Sequence, residues 1–389
     1  MKFKLIFLGL VLGIILNPTK PFAQDKTSNK FGKGLRVTAQ DSSFSMRFGA
    51  RFQTLYMGVM DIESKDYEDR FLIRRARLKF DGFAYSPKLT YKIELGLSNS
   101  DIAGASIAQA GKTASVIYDA VLKYNFYKNW SVWFGQAKLP GNIERVISSG
   151  ALQFVDRSSL NSRFNIDRDA GIQLHYSTDV FRFISAVSSG EGRNITIDND
   201  GGYDFTNRVE WLPFGAFAGD SEYSASDLKR EADPKLMLGV TYDHNDHASR
   251  ERGQLGNYLS EQRTLKTWFV DAHFKYNGFS AMAEYVDKQA VDGSVIVDDN
   301  GDYLESFYVG KGFNMQAGYL LGNNIEIAAR YTNVVPQKET LKPQNQEYTL
   351  GISKYIVGHA LKIQSDVTWI EEPISSDLFM YRFQVELSF

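Results

Sequence analysis

The sequence predicts an all-β protein, a closed antiparallel transmembrane barrel of sixteen strands, with eighteen as the alternative count. Three observations support this fold class. Apolar and polar residues alternate along strand-length segments from about residue 44 onwards, the connections between segments are alternately short and long, and the chain ends on the aromatic residue Phe389. Alternation with a period of two indicates strands whose two faces meet different surroundings.

The first 23 residues predict a secretory signal peptide rather than a part of the fold. Lys2 and Lys4 precede the apolar run of residues 5–16, which is too short to span a membrane as a helix. Cleavage is expected after Ala23. The chain is therefore expected to have three parts: a signal peptide at 1–23, a periplasmic N-terminal segment at 24–42 and a barrel domain at 43–389.

The composition excludes several classes of protein. The chain has 389 residues and no cysteine, so an exported form cannot be a disulfide scaffold. Loss of the three lysines of the signal peptide would leave 41 basic residues against 46 acidic ones, and a net charge near −5 excludes a generally basic, nucleic-acid-binding protein. After the signal, no apolar run approaches the length of a spanning helix, so any membrane crossing must use strands.

Sixteen amphipathic segments follow one another along the chain. In the fourth, for example, Tyr118, Ala120 and Leu122 share the apolar face, whereas Asp119 and Lys123 share the polar one. In a membrane barrel the apolar face meets lipid and the polar face lines a water-filled lumen. The predicted strands are 44–60, 70–84, 89–98, 116–126, 130–138, 169–177, 180–188, 204–213, 235–244, 265–276, 279–288, 303–322, 325–333, 346–355, 359–371 and 379–389.

The connections between these segments alternate in length. Six are short enough for hairpin turns, near residues 86–88, 127–129, 178–179, 277–278, 322–324 and 357–358. Outer-membrane barrels have short periplasmic turns and longer outside loops, so an even strand count places both termini on the periplasmic side. The connection 214–233 should be short but has about twenty residues. This leaves open an insertion in that turn or an unrecognised pair of strands.

The last segment argues against a soluble β-sandwich, which is the alternative fold. A sandwich has no reason to alternate its loop lengths. The chain ends in YRFQVELSF at residues 381–389, an amphipathic strand with a terminal aromatic residue. Such a strand resembles the signal that the barrel-assembly machinery reads, so we expect that machinery as a partner through the strand ending in Phe389.

Three segments carry a resemblance to a known family: RRARLKFDGFAYSPKLTYKIEL at 74–95, VWFGQAKLPGNIERVISSGALQFVDRSSLN at 132–161 and DAGIQLHY at 169–176. From about residue 43 to its end, the chain resembles the phosphate-selective porin O/P family, in a form like those of the Bacteroidetes. The resemblance implies a trimeric, sixteen-stranded diffusion channel in the outer membrane of a Gram-negative bacterium. It also implies that an infolded third loop, here residues 139–168, forms the narrowest point.

Basic residues of the early strands would line the lumen if the apolar face meets lipid. They are Arg47, Arg51, Arg75, Arg77, Lys79, Lys92 and Lys123. Arg74 breaks the pattern because it shares its face with Ala76 and Leu78, where a charge near the bilayer midplane costs roughly 2–4 kcal/mol. We therefore expect Arg74 at the end of its strand, in the membrane interface. Acidic residues such as Asp81 and Glu94 share the inward face with the cations.

The third loop supplies the candidate constriction residues Arg145, Arg157 and Arg163. In a wide, wet pore each charge contributes only about 1 kcal/mol at contact distance, so selectivity needs a place where a solute loses water and meets several donors together. Arginine suits this role because its planar fork matches the oxygens of phosphate or carboxylate. The alternative is that these arginines brace the folded loop by pairing with Glu144, Asp156 and Asp167.

Together these features predict a passive porin for small hydrophilic solutes, with a preference for anions such as phosphate. The alternatives are a general, weakly selective porin, a plugged structural or adhesive barrel, and an outer-membrane enzyme. The sequence has no Walker loop, G-x-S-x-G or H-E-x-x-H motif, so we expect no catalysis, no cofactor and no metal. The expected partners are membrane lipids, small anionic solutes, the barrel-assembly machinery and two further copies in a homotrimer.

Overall fold

The computed structural model describes residues 30–102, 115–196, 202–373 and 376–389. The predicted signal peptide lies outside these residues, so the three-part division of the chain stays a prediction. The described residues include three α-helices of four to six residues each, α1 (Asn99–Ile102), α2 (Ile143–Val146) and α3 (Ser159–Phe164). Among the described residues, no helix is long and apolar enough to cross a membrane.

Antiparallel strands make up most of the fold. In chain order they are β1 (Leu35–Thr38), β2 (Phe44–Asp61), β3 (Tyr67–Ala84), β4 (Ser86–Gly96), β5 (Ile117–Tyr127), β6 (Trp130–Lys138), β7 (Arg168–Ser177), β8 (Phe181–Ser188), β9 (Asp204–Trp211), β10 (Lys235–Arg250), β11 (Tyr258–Tyr276), β12 (Phe279–Ala290), β13 (Val295–Val297), β14 (Tyr303–Ser306), β15 (Gly310–Leu320), β16 (Ile325–Pro336), β17 (Asn345–Val357), β18 (Leu361–Glu371) and β19 (Leu378–Ser388). Sixteen of these, all except β1, β13 and β14, pair in sequence order into one sheet. The sheet closes because β19 pairs with β2, from Leu378 opposite Asp61 to Ser388 opposite Arg51. The predicted sixteen-stranded antiparallel barrel is therefore confirmed.

The two faces of the sheet differ in polarity, as the alternation predicts. On β7, Ile172 is 52% exposed on the outer surface, whereas its neighbour Gln173 is 5% exposed and faces the lumen. On β11, Trp268 and Val270 are exposed outside, whereas Asp271 is buried inside. An apolar outer surface around a polar lumen is the arrangement of a transmembrane barrel.

The connections separate into two ends of the barrel. Six connections of one to four residues lie at the end that we call the turn end, and most longer ones lie at the opposite, loop end. The connection at 212–234, named here the inner segment, belongs to the turn end and contains one 3₁₀ turn at Ser221–Tyr223. It is an insertion without strands. β10 and β11 extend farther than predicted, so the loop expected at 245–264 covers only 251–257.

The short strand β1 extends the sheet at the turn end. It pairs with β2 from Leu35 opposite Phe48 to Thr38 opposite Ser45, beyond the carboxyl end of β19 at Phe389. β19 pairs with β2 only as far as Arg51, and β1 pairs with the part of β2 that lies beyond this point. It therefore covers backbone groups that an open strand edge would expose.

The predicted single strand 303–322 is two strands in the structure. β14 pairs with β13 in a separate two-stranded sheet, and β15 belongs to the barrel. Phe307 and Val309, between them, are fully buried against residues of β10 and β11. Gly310 makes the junction with a φ of 137°, and a Cβ there would lie 2.4 Å from the Val335 carbonyl oxygen. Burial of the two side chains and this turn therefore interrupt the predicted strand.

The third loop, residues 139–167, enters the lumen and packs there. Its apolar side chains meet residues of β8, β11, β12 and β16 in one buried cluster. The Glu284 carboxylate of β12 accepts hydrogen bonds from Asn142 Nδ2 at 3.0 Å and from the Glu144 backbone N–H at 2.8 Å. Lys138 Nζ donates to the carbonyl oxygens of Arg145 and Val146 at 2.9 and 3.0 Å, which binds the loop to its own strand β6.

The inner segment also enters the lumen and meets the third loop there. The Ala225 N–H donates to the Ala151 carbonyl oxygen at 2.9 Å. Lys275 Nζ of β11 donates to the carbonyl oxygens of Ser221 and Ser226 at 2.6 and 2.9 Å. Apolar residues of the two segments share a buried cluster with β10 and β12. The two segments thus occupy the side of the lumen next to β9–β12 and β15–β18, and the cavities described below lie along β2–β9.

Candidate solute constriction

A cavity of about 380 Å³ lies between the third loop and the lumen side of β3 and β5. We call it the arginine cavity, because five arginines line it: Arg74, Arg75, Arg77, Arg145 and Arg157. In the described part of the chain, the carboxylates in its lining are Asp101 and Asp156, and its other lining residues are Tyr118, Asn161, Ser162 and Asn165. Five guanidinium groups against two carboxylates leave the cavity with a net charge near +3.

Asp156 of the third loop holds two of these arginines. Arg75 Nη2 lies 2.7 Å from Asp156 Oδ1, and Arg74 Nε lies 3.0 Å from Asp156 Oδ2. Arg74 reaches the lumen through a β-bulge: β2 pairs Gln53 with Arg75 but its next residue with Ile73, so Arg74 is the extra residue. A bulge turns a side chain to the other face of a strand. The prediction that Arg74 lies in the membrane interface is therefore wrong.

A second bulge places Tyr118 in the same cavity. β5 carries one extra residue opposite Glu94 and Leu95 of β4, and that residue is Tyr118. The centroid of its ring lies 4.0 Å from the guanidinium carbon of Arg193 and 4.2 Å from that of Arg77. The prediction that Tyr118 faces outward is wrong. Its ring instead lies against three cations, since the guanidinium carbon of Arg168 is also 4.7 Å from the centroid, and the attraction of a cation to an aromatic face strengthens away from water.

Arg77 lines the arginine cavity and also pairs with carboxylates of β4 and α1. Its Nη1 lies 3.1 Å from Glu94 Oε1, and its Nη2 lies 2.9 Å from Asp101 Oδ1. The Tyr118 hydroxyl also donates to Asp101 Oδ1, at 2.8 Å. These contacts fix the guanidinium plane of Arg77 at the boundary between β3, β4 and α1.

The third loop contributes Arg145 and Arg157 from the opposite side. Arg145 forms an ion pair with Asp167, whereas Arg157 donates to the carbonyl oxygens of Glu144 and Ile147 at 2.8 and 2.6 Å. Burial, followed by the charge of Arg75, lowers the pKa of Arg157 to about 9. Burial and the charge of Arg157 hold the pKa of Arg145 well below its usual range. Both cations are desolvated and close to like charges, and a bound anion would relieve that repulsion.

The structure brings four of the ten predicted site residues into this cavity, and they are Arg75, Arg77, Arg145 and Arg157. Arg163 lies elsewhere: it is exposed, and its guanidinium carbon is 5.6 Å from the ring centroid of Tyr308. Of the predicted bracing pairs, Arg145 with Asp167 forms. Glu144 instead accepts hydrogen bonds from the N–H and hydroxyl of Ser158, at 2.9 and 2.5 Å.

Three more of the predicted residues lie nearer the turn end, on β2 and β3. Arg47 and Lys79 both pair with Asp81, at 2.8 and 3.0 Å. Arg51 Nη1 lies 3.8 Å from Glu386 Oε1, and its Nη2 donates to a hydroxyl of the third loop at 2.8 Å. Together with Arg77, these residues line a cavity of about 250 Å³.

The remaining two predicted residues, Lys92 and Lys123, lie on β4 and β5. Lys92 pairs with Glu94 at 2.9 Å and also with Asp119. Lys123 Nζ lies 3.4 Å from the ring centroid of Trp133. Among the described residues, Lys123 has no ion-pair partner. Hence six of the seven predicted cations of the early strands pair with a carboxylate in the described part of the chain, and Lys123 does not.

Sequence reasoning missed Arg74, Asp101 and Tyr118 as residues of the cavity. The RRAR sequence at 74–77 signals a cationic strand, but a period of two assigns Arg74 and Arg75 to opposite faces. The bulges that bring in Arg74 and Tyr118 depend on pairing with neighbouring strands, so they leave no local pattern. The described residues contain no group of histidine and acidic side chains that could hold a metal ion.

Asp156→Asn is expected to strengthen the anion preference of the arginine cavity. The amide keeps the shape of the carboxylate but removes the charge that neutralises Arg74 and Arg75. Burial alone would raise the pKa of Asp156, yet Arg75 and Arg74 lower it below its usual range, so the wild-type carboxylate stays charged from pH 8 down to at least about pH 4. The chloride-to-potassium permeability ratio should rise by about threefold or more in the variant and stay constant in the wild type over that pH range.

Reversal potentials in a KCl gradient measure this ratio. An unchanged ratio in Asp156→Asn would mean that ions do not pass through the arginine cavity. Glu347→Gln is a suitable control, because Glu347 is a carboxylate on β17 that is absent from the lining of the cavity.

A family model described as phosphate-selective porin O and P matches residues 46–372. A protein of Aquifex aeolicus (strain VF5), described as uncharacterized, is 24% identical in an alignment of 365 residues that covers 84% of this chain and 83% of that protein. In-vitro folded OmpT of Vibrio cholerae, in its trimer form, superposes with a TM-score of 0.58 and 11% identity over 89% of this chain and 100% of that chain. The anion-selective porin from Comamonas acidovorans superposes with a TM-score of 0.57 and 10% identity, again over 89% and 100%. The two solved structures show a shared fold, and the family match covers most of the sequence; the chain belongs to the phosphate-selective porin O and P family.

Proposed function

We propose that this protein is an outer-membrane porin through which small hydrophilic anions, phosphate-like oxyanions above all, diffuse passively. The observation that carries the proposal is the arginine cavity, where five guanidinium groups face two carboxylates between the third loop and the barrel wall. Arginine presents several N–H donors in a plane that matches two oxygens of a phosphate or carboxylate. A site of this composition attracts oxyanions and repels cations.

The basic residues of β3 support a continuous route to and from this cavity. Arg75, Arg77 and Lys79 share the inward face, and successive inward residues of a strand are spaced by roughly 7 Å. Arg75 and Arg77 line the arginine cavity, and Arg77 and Lys79 line the next cavity toward the turn end. An anion can therefore pass from one cation to the next without crossing an uncharged stretch of wall.

The carboxylates beside these arginines keep the site weak enough for release. Asp156 and Asp101 already occupy part of the hydrogen-bonding capacity of Arg75 and Arg77. A passing oxyanion must compete with them, which lowers its affinity. Conduction needs binding that is favourable enough for entry but weak enough for exit.

A general, weakly selective porin is the second candidate, and the pairing of the lumen cations favours it. Arg47 and Lys79 share Asp81, and Lys92 has two carboxylate neighbours. If these pairs cancel most of the field in the lumen, only the arginine cavity would discriminate between anions and cations. The family and the fold indicate a channel rather than an enzyme.

The outer surface and the ends of the barrel support the proposed location and assembly. Apolar side chains cover the outside of the sheet, which suits the outer membrane of a Gram-negative bacterium. β19 ends beside Phe389, the aromatic residue proposed to be read by the assembly machinery. We propose a homotrimer, as in the trimer form of OmpT, whose fold this chain shares.

Recording of the purified protein in a planar lipid bilayer tests the proposal. In a KCl gradient, the reversal potential should indicate a preference for chloride over potassium, and added phosphate should depress the chloride current. A cation preference without an effect of phosphate would reject the oxyanion version. Absence of ion conductance from a folded preparation would reject the channel itself.

A further inference from the structure

A second cavity, of about 490 Å³, lies on the turn-end side of the third loop. We call it the inner cavity. Its walls are the lumen sides of β4–β9, the beginning of the third loop, and the inner segment at Asp220, Glu222 and Tyr223. Its volume falls within the range of about 300–1,000 Å³ that small-molecule sites usually have.

The inner cavity is lined very differently from the arginine cavity. Among the described residues, the arginine cavity has charged, amide and hydroxyl side chains but no aliphatic one. The inner cavity has aliphatic or aromatic side chains from the barrel wall, the third loop and the inner segment, among them Val121, Trp133, Ile184, Leu139, Val146 and Tyr223. Inorganic phosphate gains nothing from such a surface, whereas a solute with a hydrocarbon body does.

Most charges around the inner cavity are already neutralised by neighbours. Arg208 binds Asp271 and Glu210, both at 2.7 Å. Arg182 forms an ion pair with Glu222 and donates from Nη1 to the Tyr223 hydroxyl at 3.1 Å. The other cations in the lining, Lys92 and Lys138, bind carboxylates and backbone carbonyl groups, respectively.

Lys123 is the exception among these cations. Its ammonium group lies 3.4 Å from the ring centroid of Trp133, and the ring of Trp133 stacks on His175 with centroids 3.9 Å apart. No ion pair to Lys123 is found in the part of the chain that the structure describes. The stacked rings hold the charge in place without neutralising it. Lys123 is thus available to an acidic group of a solute.

We propose that the inner cavity is a second solute subsite, and that it takes small organic anions with a ring or a short hydrocarbon body. Lys123 binds the acidic group, and the body lies against Val146, Ile184 and Tyr223. The inference rests on the proposed channel function and adds a substrate class to it. The arginine cavity selects for negative charge, and the inner cavity then favours anions that also have apolar surface.

Two probes with the same acidic group separate these contributions. Phenylphosphonate and methylphosphonate differ only in their hydrocarbon group. The difference between their half-blocking concentrations for the KCl current therefore reports on the contact of that group with the apolar lining. Each probe is added on the side of the bilayer that the turn end of the barrel faces. Phenylphosphonate should then block at a concentration about fivefold to tenfold lower than methylphosphonate. Equal half-blocking concentrations in the wild type would overturn the proposal.

Variants locate the effect. Lys123→Met should raise the half-blocking concentrations of both probes by a similar factor, because it removes the charge and keeps the length of the side chain. Val146→Thr keeps the shape of the side chain but replaces a methyl group by a hydroxyl group, so it should reduce the preference for phenylphosphonate alone. Lys342→Met is the matched control, since Lys342 pairs with Glu251 at 2.8 Å and lines neither the inner cavity nor the arginine cavity. If Lys123→Met leaves the half-blocking concentrations of both probes unchanged, or if Val146→Thr leaves the preference for phenylphosphonate unchanged, the probes bind elsewhere and the proposed site is overturned.

Fluorescence of the detergent-solubilised protein gives a readout that does not depend on conductance. The chain has five tryptophans, and phenylphosphonate bound beside Lys123 should change the emission of Trp133. Trp133→Phe should abolish this change. No change in the wild type would refute the subsite, whereas binding without any ion current would refute the channel and leave the subsite in place.

Discussion

Replacing Arg75 and Arg77 together by glutamine is expected to remove the anion preference of the open channel. The two changes lower the net charge of the arginine cavity from near +3 to near +1, while both positions keep a hydrogen-bonding side chain. At roughly 5 Å, a unit charge acts on a passing ion with about 1–3 kcal/mol for an effective dielectric constant between 80 and 20. The chloride-to-potassium permeability ratio should therefore fall by about tenfold or more.

Arg47→Gln is the matched control for this experiment. Arg47 also faces the lumen, but 38% of its side chain is exposed and Asp81 binds it. Water and salt screen such a charge far more than one in the arginine cavity, so the permeability ratio should change little. An unaltered ratio in the double variant, with a protein that remains folded in detergent, would show that ions bypass the arginine cavity.

Shortening the inner segment is expected to increase single-channel conductance severalfold and to weaken ion selectivity. In the variant, an Asn-Gly turn like that at 277–278 replaces residues 214–232. In the wild type, the inner segment occupies the lumen next to β9–β12 and meets the third loop through the hydrogen bond between Ala225 and Ala151. Its removal leaves a wide aqueous passage on that side, since a sixteen-stranded barrel without a plug is wide enough for a water-filled channel.

The shortened protein would lose contacts of Lys275 and Glu326, both of which bind the inner segment through Ser226. A second variant therefore tests the same geometry in the full-length chain. The protein has no cysteine, so Ala151→Cys combined with Ala225→Cys introduces one pair that should oxidise to a disulfide. Conductance should be the same before and after oxidation if the contact persists in the open channel. A pair that never cross-links, or an unchanged conductance in the shortened protein, would contradict the infolded arrangement.

The family resemblance implies an infolded third loop, which the structure contains, but it does not identify every residue of the arginine cavity. The third loop carries Arg145 and Arg157 into the arginine cavity, as expected. Arg163 belongs to the same loop, yet it follows the first turn of α3 and lies against Tyr308 instead. Which way a loop side chain points depends on the packing of its apolar neighbours, here Leu160 and Phe164, against distant strands.

The sequence by itself determined the strand count and the inward face of most strands, because a period of two and alternating connection lengths are local properties. The loop that enters the lumen was implied by the family resemblance. Only the tertiary structure decided that Arg74 and Tyr118 turn inward at bulges, that Asp156 binds Arg75, and that the inner segment fills part of the lumen. Bulges, ion pairs across the lumen and contacts between two infolded segments each join residues that are far apart in the chain. Their positions depend on the closed barrel and on the burial that it imposes, so no local pattern records them.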